Sequence, residues 1–300
     1  SQSLLHEQLA QIRAALAPLV VLALFCGDAA TALERSPTVD LAAGGRMADA
    51  LLANVPPGAL LLTSGDHAGS ACAWLQTAEG ARPDSPCVPA VFTRDARMLD
   101  LLALRTGETS FAQAAELARD GAPGSALLAA WMRPVAATRP LRWELGLAEE
   151  ERQLHGHLRA GFPWQVVVPG KTDAELDRRA VSVALQDMIA TCRAAPAGAC
   201  RPGAPLSTWL GHHANVLAAR LMVADEPGAA PLLQAAARWA PNEPKVLNNL
   251  AVHLIGRGEP AAALALCERA LAHQPDYRRV HRTAARAALL VGQNEAALSH

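Results

Sequence analysis

Two stretches of the chain carry residue types that could do chemistry together. Ser64-Gly65-Asp66-His67 follows a short apolar run, Ala59 to Thr63, that reads as a buried strand. The carboxyl ends of such strands are where α/β folds hold ligands. Asp66 and His67 offer an acid and a base there, with the hydroxyls of Ser64 and Ser70 nearby. The same Asp66 also suits a helix cap, its carboxylate accepting from free backbone N–H groups of a helix starting near Ala68. Both readings stay open. The second stretch, Glu79-Gly80-Ala81-Arg82-Pro83-Asp84, reads as a helix exit and turn: Gly80 suits the C-cap, Pro83 blocks continuation, and Arg82 can pair with Asp84 or Asp66.

Other candidates are weaker. His155 and His157 lie two apart and His212 and His213 are adjacent, whereas helical metal ligands want i, i+4 spacing. No metal site and no cofactor are expected. The chain has no GxGxxG after a strand, no GxxxxGK[ST], no GxSxG and no HExxH, so no catalytic residue is assigned. Six cysteines stand at 26, 72, 87, 192, 200 and 267 without a CxxC pair. Cys192 and Cys200 flank a turn-rich spacer and form one candidate disulfide; Cys72 and Cys87 form a second. Buried free thiols are the alternative for both. Oxidised pairs would imply an extracytoplasmic compartment.

The elements that must position these residues follow from pattern. Hydrophobic residues make up 51% of the chain, enough to bury a core, while aromatics at 4% favour close helix packing through Ala and Leu. A net charge of −1 and scattered Arg residues argue against nucleic acid as a partner. Ala14 to Gly27 is an apolar run behind Arg13, shorter than the roughly 20 residues of a full span. It fits the end of a membrane helix, a signal segment or a buried helix, with the membrane as the expected partner. Residues 1–41 are read as that segment plus a linker.

Residues 42–170 read as a small α/β domain. Helices fit Gly45–Ala53, Ser70–Glu79, Arg94–Leu104, Ser110–Arg119 and Gly124–Arg133. Strands fit Ala59–Thr63 and Cys87–Phe92, with two more at Pro140–Leu145 and Trp164–Val168. This order implies a parallel βαβ layer. Lys171-Thr172-Asp173 opens a helix through about Cys192, and 171–207 forms a helical connector.

From about 208 to 300 the chain repeats with a 34-residue period. Leu247, Leu250, Ala251 and Leu254 line a first helix, Gly258 turns the chain, Ala263, Cys267 and Ala270 line a second, and Pro275 ends it. One period later stand His281, Ala284, Ala285, Ala288, Gly292 and Ala297; one period earlier stand Ala229, Leu233, Ala236 and Pro241. This is similar to the tetratricopeptide pattern of stacked helical hairpins. The fold class is thus α/β followed by all-α helical repeats. Such arrays offer a concave groove, and the expected partner is a protein or peptide. The pattern runs to His300, so further repeats are expected in a longer parent.

A second resemblance is carried by Leu61-Leu62-Thr63-Ser64-Gly65-Asp66, then Trp74-Leu75-Gln76, Glu79-Gly80 and Arg82-Pro83-Asp84. It resembles a signature of protein O-mannosyltransferase-like polytopic membrane proteins, T-x-G-D followed by W-Y-L-Q-x-x-E-G-x-R-P-D. His67 to Ser70 departs from that family's Asn-Asp-Thr run, and Leu75 stands where Tyr is usual. The resemblance implies that this is the soluble, periplasmic C-terminal part of a membrane glycosyltransferase using a lipid-phosphate sugar. The catalytic acid of such enzymes would lie upstream. Gly65, Asp66, Trp74, Gln76, Arg82 and Asp84 match the signature with no role assigned. The alternative is a periplasmic or secreted repeat scaffold without catalytic activity.

Overall fold

The computed structural model describes residues 43–64, 66–144, 158–159, 161–166, 178–223 and 228–299. The apolar run at 14–27, Gly65, His155, His157 and the start proposed for the connector helix at 171–173 lie outside the described residues. Among the described residues no helix is long and apolar enough to cross a membrane.

The chain opens with α1 (Ala43–Ala53), β1 (Leu60–Thr63), α2 (Asp66–Ala78) and β2 (Cys87–Pro89). A 3-10 turn at Ala90–Arg94 leads to α3 (Ala96–Thr106), α4 (Thr109–Arg119) and α5 (Gly124–Thr138). Then come β3 (Leu141–Trp143), β4 (Leu158–Arg159), β5 (Trp164–Val166) and α6 (Arg178–Ala194). Local chemistry sets several boundaries. Asp95 caps α3, its carboxyl accepting from the amides of Arg97 and Met98 at 3.0 Å each. The helix ends at Gly107, whose φ of +73° a side chain would resist. That moves the helix two residues beyond the Arg94–Leu104 reading. α2 starts at Asp66 itself rather than near Ala68, and the second strand stops at Pro89, giving way to the 3-10 turn.

The strands lie in the order β2-β1-β3-β5-β4. β1 is parallel to both β2 and β3, as the βαβ order implies. β5 runs antiparallel to β3 and to β4, so the sheet is mixed rather than wholly parallel. The physical reason is connection length: the few residues between β4 and β5 allow only an antiparallel return. β1 is buried along its whole length, which its Leu-Leu-Leu-Thr sequence permits. Pairing of Leu62 with Trp143 sets the carboxyl ends of β1 and β3 side by side.

Three helical hairpins follow: α7 (Pro205–Val223) with α8 (Ala229–Trp239), α9 (Pro244–Gly256) with α10 (Pro260–His273), and α11 (Arg278–Leu290) with α12 (Asn294–Ser299). Pro244 and Pro260 each open a helix at a position whose N–H would be unpaired anyway. Gly258 and Gly292 close the second and third turns at the same φ of +79°. One apolar core runs from Ala48 on α1 to Val246 on α9, taking in the first hairpin together with the sheet. A second core, from Leu247 to Ala288, holds the later hairpins.

Candidate functional site

The carboxyl ends of β1 and β3 converge on one buried acidic side chain, Glu144, which is 2% exposed. Its backbone N–H donates to the Leu62 carbonyl at 2.8 Å, continuing the strand pairing. Its carboxyl accepts from the Ser64 amide at 2.9 Å and from the Trp209 indole N–H at 2.8 Å. The Trp143 indole donates to the Ser64 hydroxyl at 3.1 Å. Glu144 therefore ties the turn after β1 to α7, the first helix of the repeats. A buried polar group persists only when donors satisfy it, and these do.

His213 completes the cluster from one turn further along α7. Its Nδ1 lies 3.0 Å from the Trp209 carbonyl, which makes that nitrogen the donor. The ring stands edge-on to Trp209 and Phe162, with centroids 4.4 Å and 5.1 Å away. Burial pushes its pKa below the ordinary imidazole value, against the opposing pull of Glu144. His212, on the solvent side, lies 3.7 Å from Glu243 instead. The two imidazoles thus serve different neighbours, and among the described residues no cluster of three or more His, Cys, Asp or Glu is arranged to hold a metal ion. Sequence reasoning passed over Glu144. The available signal was a carboxyl in the short strand segment Leu141-Arg142-Trp143-Glu144-Leu145, which had to find donors wherever it was buried.

The signature residues form a separate structure on the opposite side of β1. The Gln76 amide donates to the carbonyls of Ser85 and Arg82 at 2.6 Å and 3.2 Å. Its oxygen accepts from the Cys87 amide at 3.0 Å and from Arg105 at 2.9 Å. Arg82 donates to the carbonyls of Leu52, Val55 and Pro56, to the Ser85 hydroxyl, and through Nε and Nη2 to both oxygens of Asp84. These bonds hold Arg82 at a φ of +45°, a backbone region that side chains disfavour. Asp84 also accepts from the Gly58 amide at 2.9 Å. Gln76, Arg82 and Asp84 therefore clamp the loop before β2 onto the loop before β1. Of the two partners open to Arg82, Asp84 is taken, while the Asp66 side chain lies outside the described residues. Asp66 opens α2, and Trp74, on the same helix, is 65% exposed.

The clamp has a pH signature. The Arg82 side chain first, then the Gly58 amide, hold the Asp84 carboxyl far below the usual carboxylate range. A depressed folded-state pKa stabilises the fold above the unfolded value and loses that contribution as protons bind. Unfolding midpoints are expected to fall as pH drops below about 4, and Asp84→Asn to flatten that limb. The depressed imidazole of His213 adds a loss in the same direction that begins earlier, below about pH 6.5. Urea titrations from pH 8 to pH 2 check both; a wild-type curve that is flat through both windows would refute them.

The cysteines divide. Cys192 and Cys200 are joined by a disulfide, with Cα atoms 5.5 Å apart. Cys72 and Cys87, the other candidate pair, are free buried thiols. The hydrogen bond between them and then burial push the Cys87 thiol well above its ordinary range. Both sit in the apolar core, where free cysteine packs as a small hydrophobe. A cleft of about 230 Å³ between α1, α6 and α7 is lined by Arg46, Asp49, Asn54 and Thr191 among others, and by none of the signature residues. Burial raises the Asp49 carboxyl there above the ordinary value, helped by Glu79.

In the hairpins, Leu247, Ala251, Ala263, Cys267 and Ala270 are fully buried, and Leu250 and Leu254 are half-buried against the cores. Gly258 makes the turn and Pro275 is exposed after α10. Stacking of successive first helices is read out by polar contacts. Asn249 donates to Asn215, 34 residues away, and the Thr283 hydroxyl donates to Asn248. The tetratricopeptide repeat family profile matches residues 225–287. The stretch 225–287 is built of tetratricopeptide repeats. No curated protein sequence matches the chain. Among solved structures, a mutant of MamA is similar at 25% identity and a TM-score of 0.30, over 42% of this chain and 83% of that one. The helical array begins inside the core shared with the sheet, since α7, ahead of the matched stretch, supplies both Trp209 to Glu144 and Asn215 to the stack.

Proposed function

We propose that this chain is a protein-docking module, a tetratricopeptide array fixed to a small α/β layer, and that it serves as the periplasmic tail of a glycosyltransferase-like membrane protein. The observation that carries the docking reading is the repeat array itself: successive first helices stack, Asn249 on Asn215, and stacked arrays of this kind offer a concave surface. A photo-crosslinking residue placed at Arg282 on α11 should yield discrete adducts in cells, while the same residue at the exposed Glu116 on α4 should not. Equal adducts at both positions would refute docking through the repeats.

Two observations support the location. The stretch Leu61 to Asp84 resembles the mannosyltransferase-like signature, and the Cys192–Cys200 disulfide favours an oxidising compartment. The disulfide closes a short loop, whose loss is expected to destabilise the fold by about 2–3 kcal/mol. Alkylation of intact cells should leave both cysteines unlabelled until reductant is added, and reduction of the purified protein should lower its unfolding midpoint. Labelling without reductant would count against export.

The scaffold reading without catalysis has its own support: Gln76, Arg82 and Asp84 spend their hydrogen bonds on the protein's own backbone and side chains. Carbonate extraction separates the two. A membrane tail stays with the membrane pellet, whereas a free scaffold is released.

A further inference from the structure

The first helix of the third hairpin, α11, carries four arginines and no acidic residue, in a chain whose net charge is −1. Arg278, Arg279, Arg282 and Arg286 are all exposed, and none makes an ion pair among the described residues. At about 100° per residue, all four fall on one arc of about 120°, together with Leu289 and Leu290. The two leucines are 59% and 56% exposed. The opposite arc, Val280, Thr283, Ala284, Ala287 and Ala288, is buried in the repeat core. Like charges four residues apart weaken a helix, so an unpaired stripe of this kind is a cost that the fold itself does not offset.

The first hairpin shows what can cover such a face. Two repeat periods before Arg282, Arg286 and Leu289 stand Ala214, Ala218 and Leu221, all buried, on a helix that also packs against α1 and α6. In the third hairpin the same positions are open, charged and edged with leucine. One period before Arg279, the exposed Lys245 extends the basic track onto α9.

We propose that this face binds an acidic peptide segment with interspersed apolar side chains, its carboxylates on Arg279, Arg282 and Arg286 and its apolar groups on Leu289 and Leu290. The proposal rests on the docking reading above and names the partner's chemistry. Guanidinium groups take carboxylates through two parallel N–H donors, which sets register as well as charge. Nucleic acid fits less well: α11 has no Phe, Tyr or Trp to stack a base, and the leucines would face phosphates.

The test uses the full chain, immobilised and panned against a random 12-residue peptide display library, followed by fluorescence anisotropy on the best synthetic peptide and on a single-stranded oligonucleotide. Enriched peptides should be rich in Glu and Asp with Leu or Val between them. Their affinity should fall between about 50 and 200 mM salt. The paired substitution Arg282→Glu and Arg286→Glu should weaken binding at least about tenfold with an unchanged thermal melt. If that variant misfolds, Arg282→Gln with Arg286→Gln should give a smaller loss in the same direction. Enrichment of non-acidic peptides that still compete at Arg282 would overturn the acidic partner while sparing docking. No enrichment at all would overturn both. An oligonucleotide that binds the stripe more tightly than the best peptide would overturn the peptide partner in favour of nucleic acid.

Discussion

Glu144→Ala is expected to destabilise the chain by about 3–5 kcal/mol, the largest single loss foreseen outside backbone clashes. The substitution removes the acceptor of a buried donor, the Trp209 indole, and of a part-buried one, the Ser64 amide. Each orphaned donor costs about 1–3 kcal/mol, and the lost side chain leaves a void beside Trp209. Against a total stability of about 5–15 kcal/mol for a typical domain, that is a large fraction. Glu144→Gln should cost less, because its single carbonyl oxygen can keep one donor while its amide opposes the other. A double-mutant cycle isolates the contact. Trp209→Phe removes the indole donor, so its own cost should shrink in the Glu144→Ala background. Urea unfolding followed by tryptophan fluorescence reads all four proteins. Additive losses would mean that the Glu144–Trp209 bond contributes nothing, and the sheet would then be linked to the repeats by apolar packing alone.

That bond marks the boundary of what the sequence could show. The repeats were legible because their signal is positional: small Ala251 and Ala270 at helix contacts and Gly258 and Gly292 at turns recur at a fixed period, whatever the rest of the fold does. β1 was legible because an apolar run bounded by Pro-Pro-Gly and Ser-Gly has few alternatives. β5 was legible as a strand at Trp164–Val168, but its antiparallel direction was not, since that comes with β4, a two-residue strand that carries no periodicity. Nor was the role of Gln76, Arg82 and Asp84. Their spacing offered a turn and an Arg82–Asp84 pair, but hydrogen bonds to backbone carbonyls such as those of Leu52 and Ser85 depend on loops folding together, which spacing does not encode. The Glu144 cluster was hidden for the same reason: its partners Ser64, Trp209 and His213 are distant in sequence and meet only once α7 is seated on the sheet.

Gly211→Val tests that seating from the repeat side and is expected to cost more than about 3 kcal/mol. A Cβ at position 211 would stand 2.8 Å from the Ala240 Cβ, 3.2 Å from the Ala236 carbonyl oxygen and 3.3 Å from the Ala240 amide nitrogen. Two of those three atoms are backbone, so no rotamer change relieves the clash and α8 must move away from α7. Gly211→Ala meets the same atoms with less bulk and should cost about 1–3 kcal/mol. Because α7 supplies Asn215 to the bond with Asn249, displacement at this crossing removes the platform on which α9 stacks. Hydrogen exchange should therefore quicken across α9 and α11 as well as α8. The contrast is Gly258→Ala, which meets nothing within 4 Å and pays only for its φ of +79°. Its cost should be about 1–2 kcal/mol, with faster exchange confined to the α9–α10 turn. Gly211→Val that unfolds with the wild-type midpoint would mean that the α7–α8 crossing is wider than described, and that the later hairpins do not depend on the first for their position.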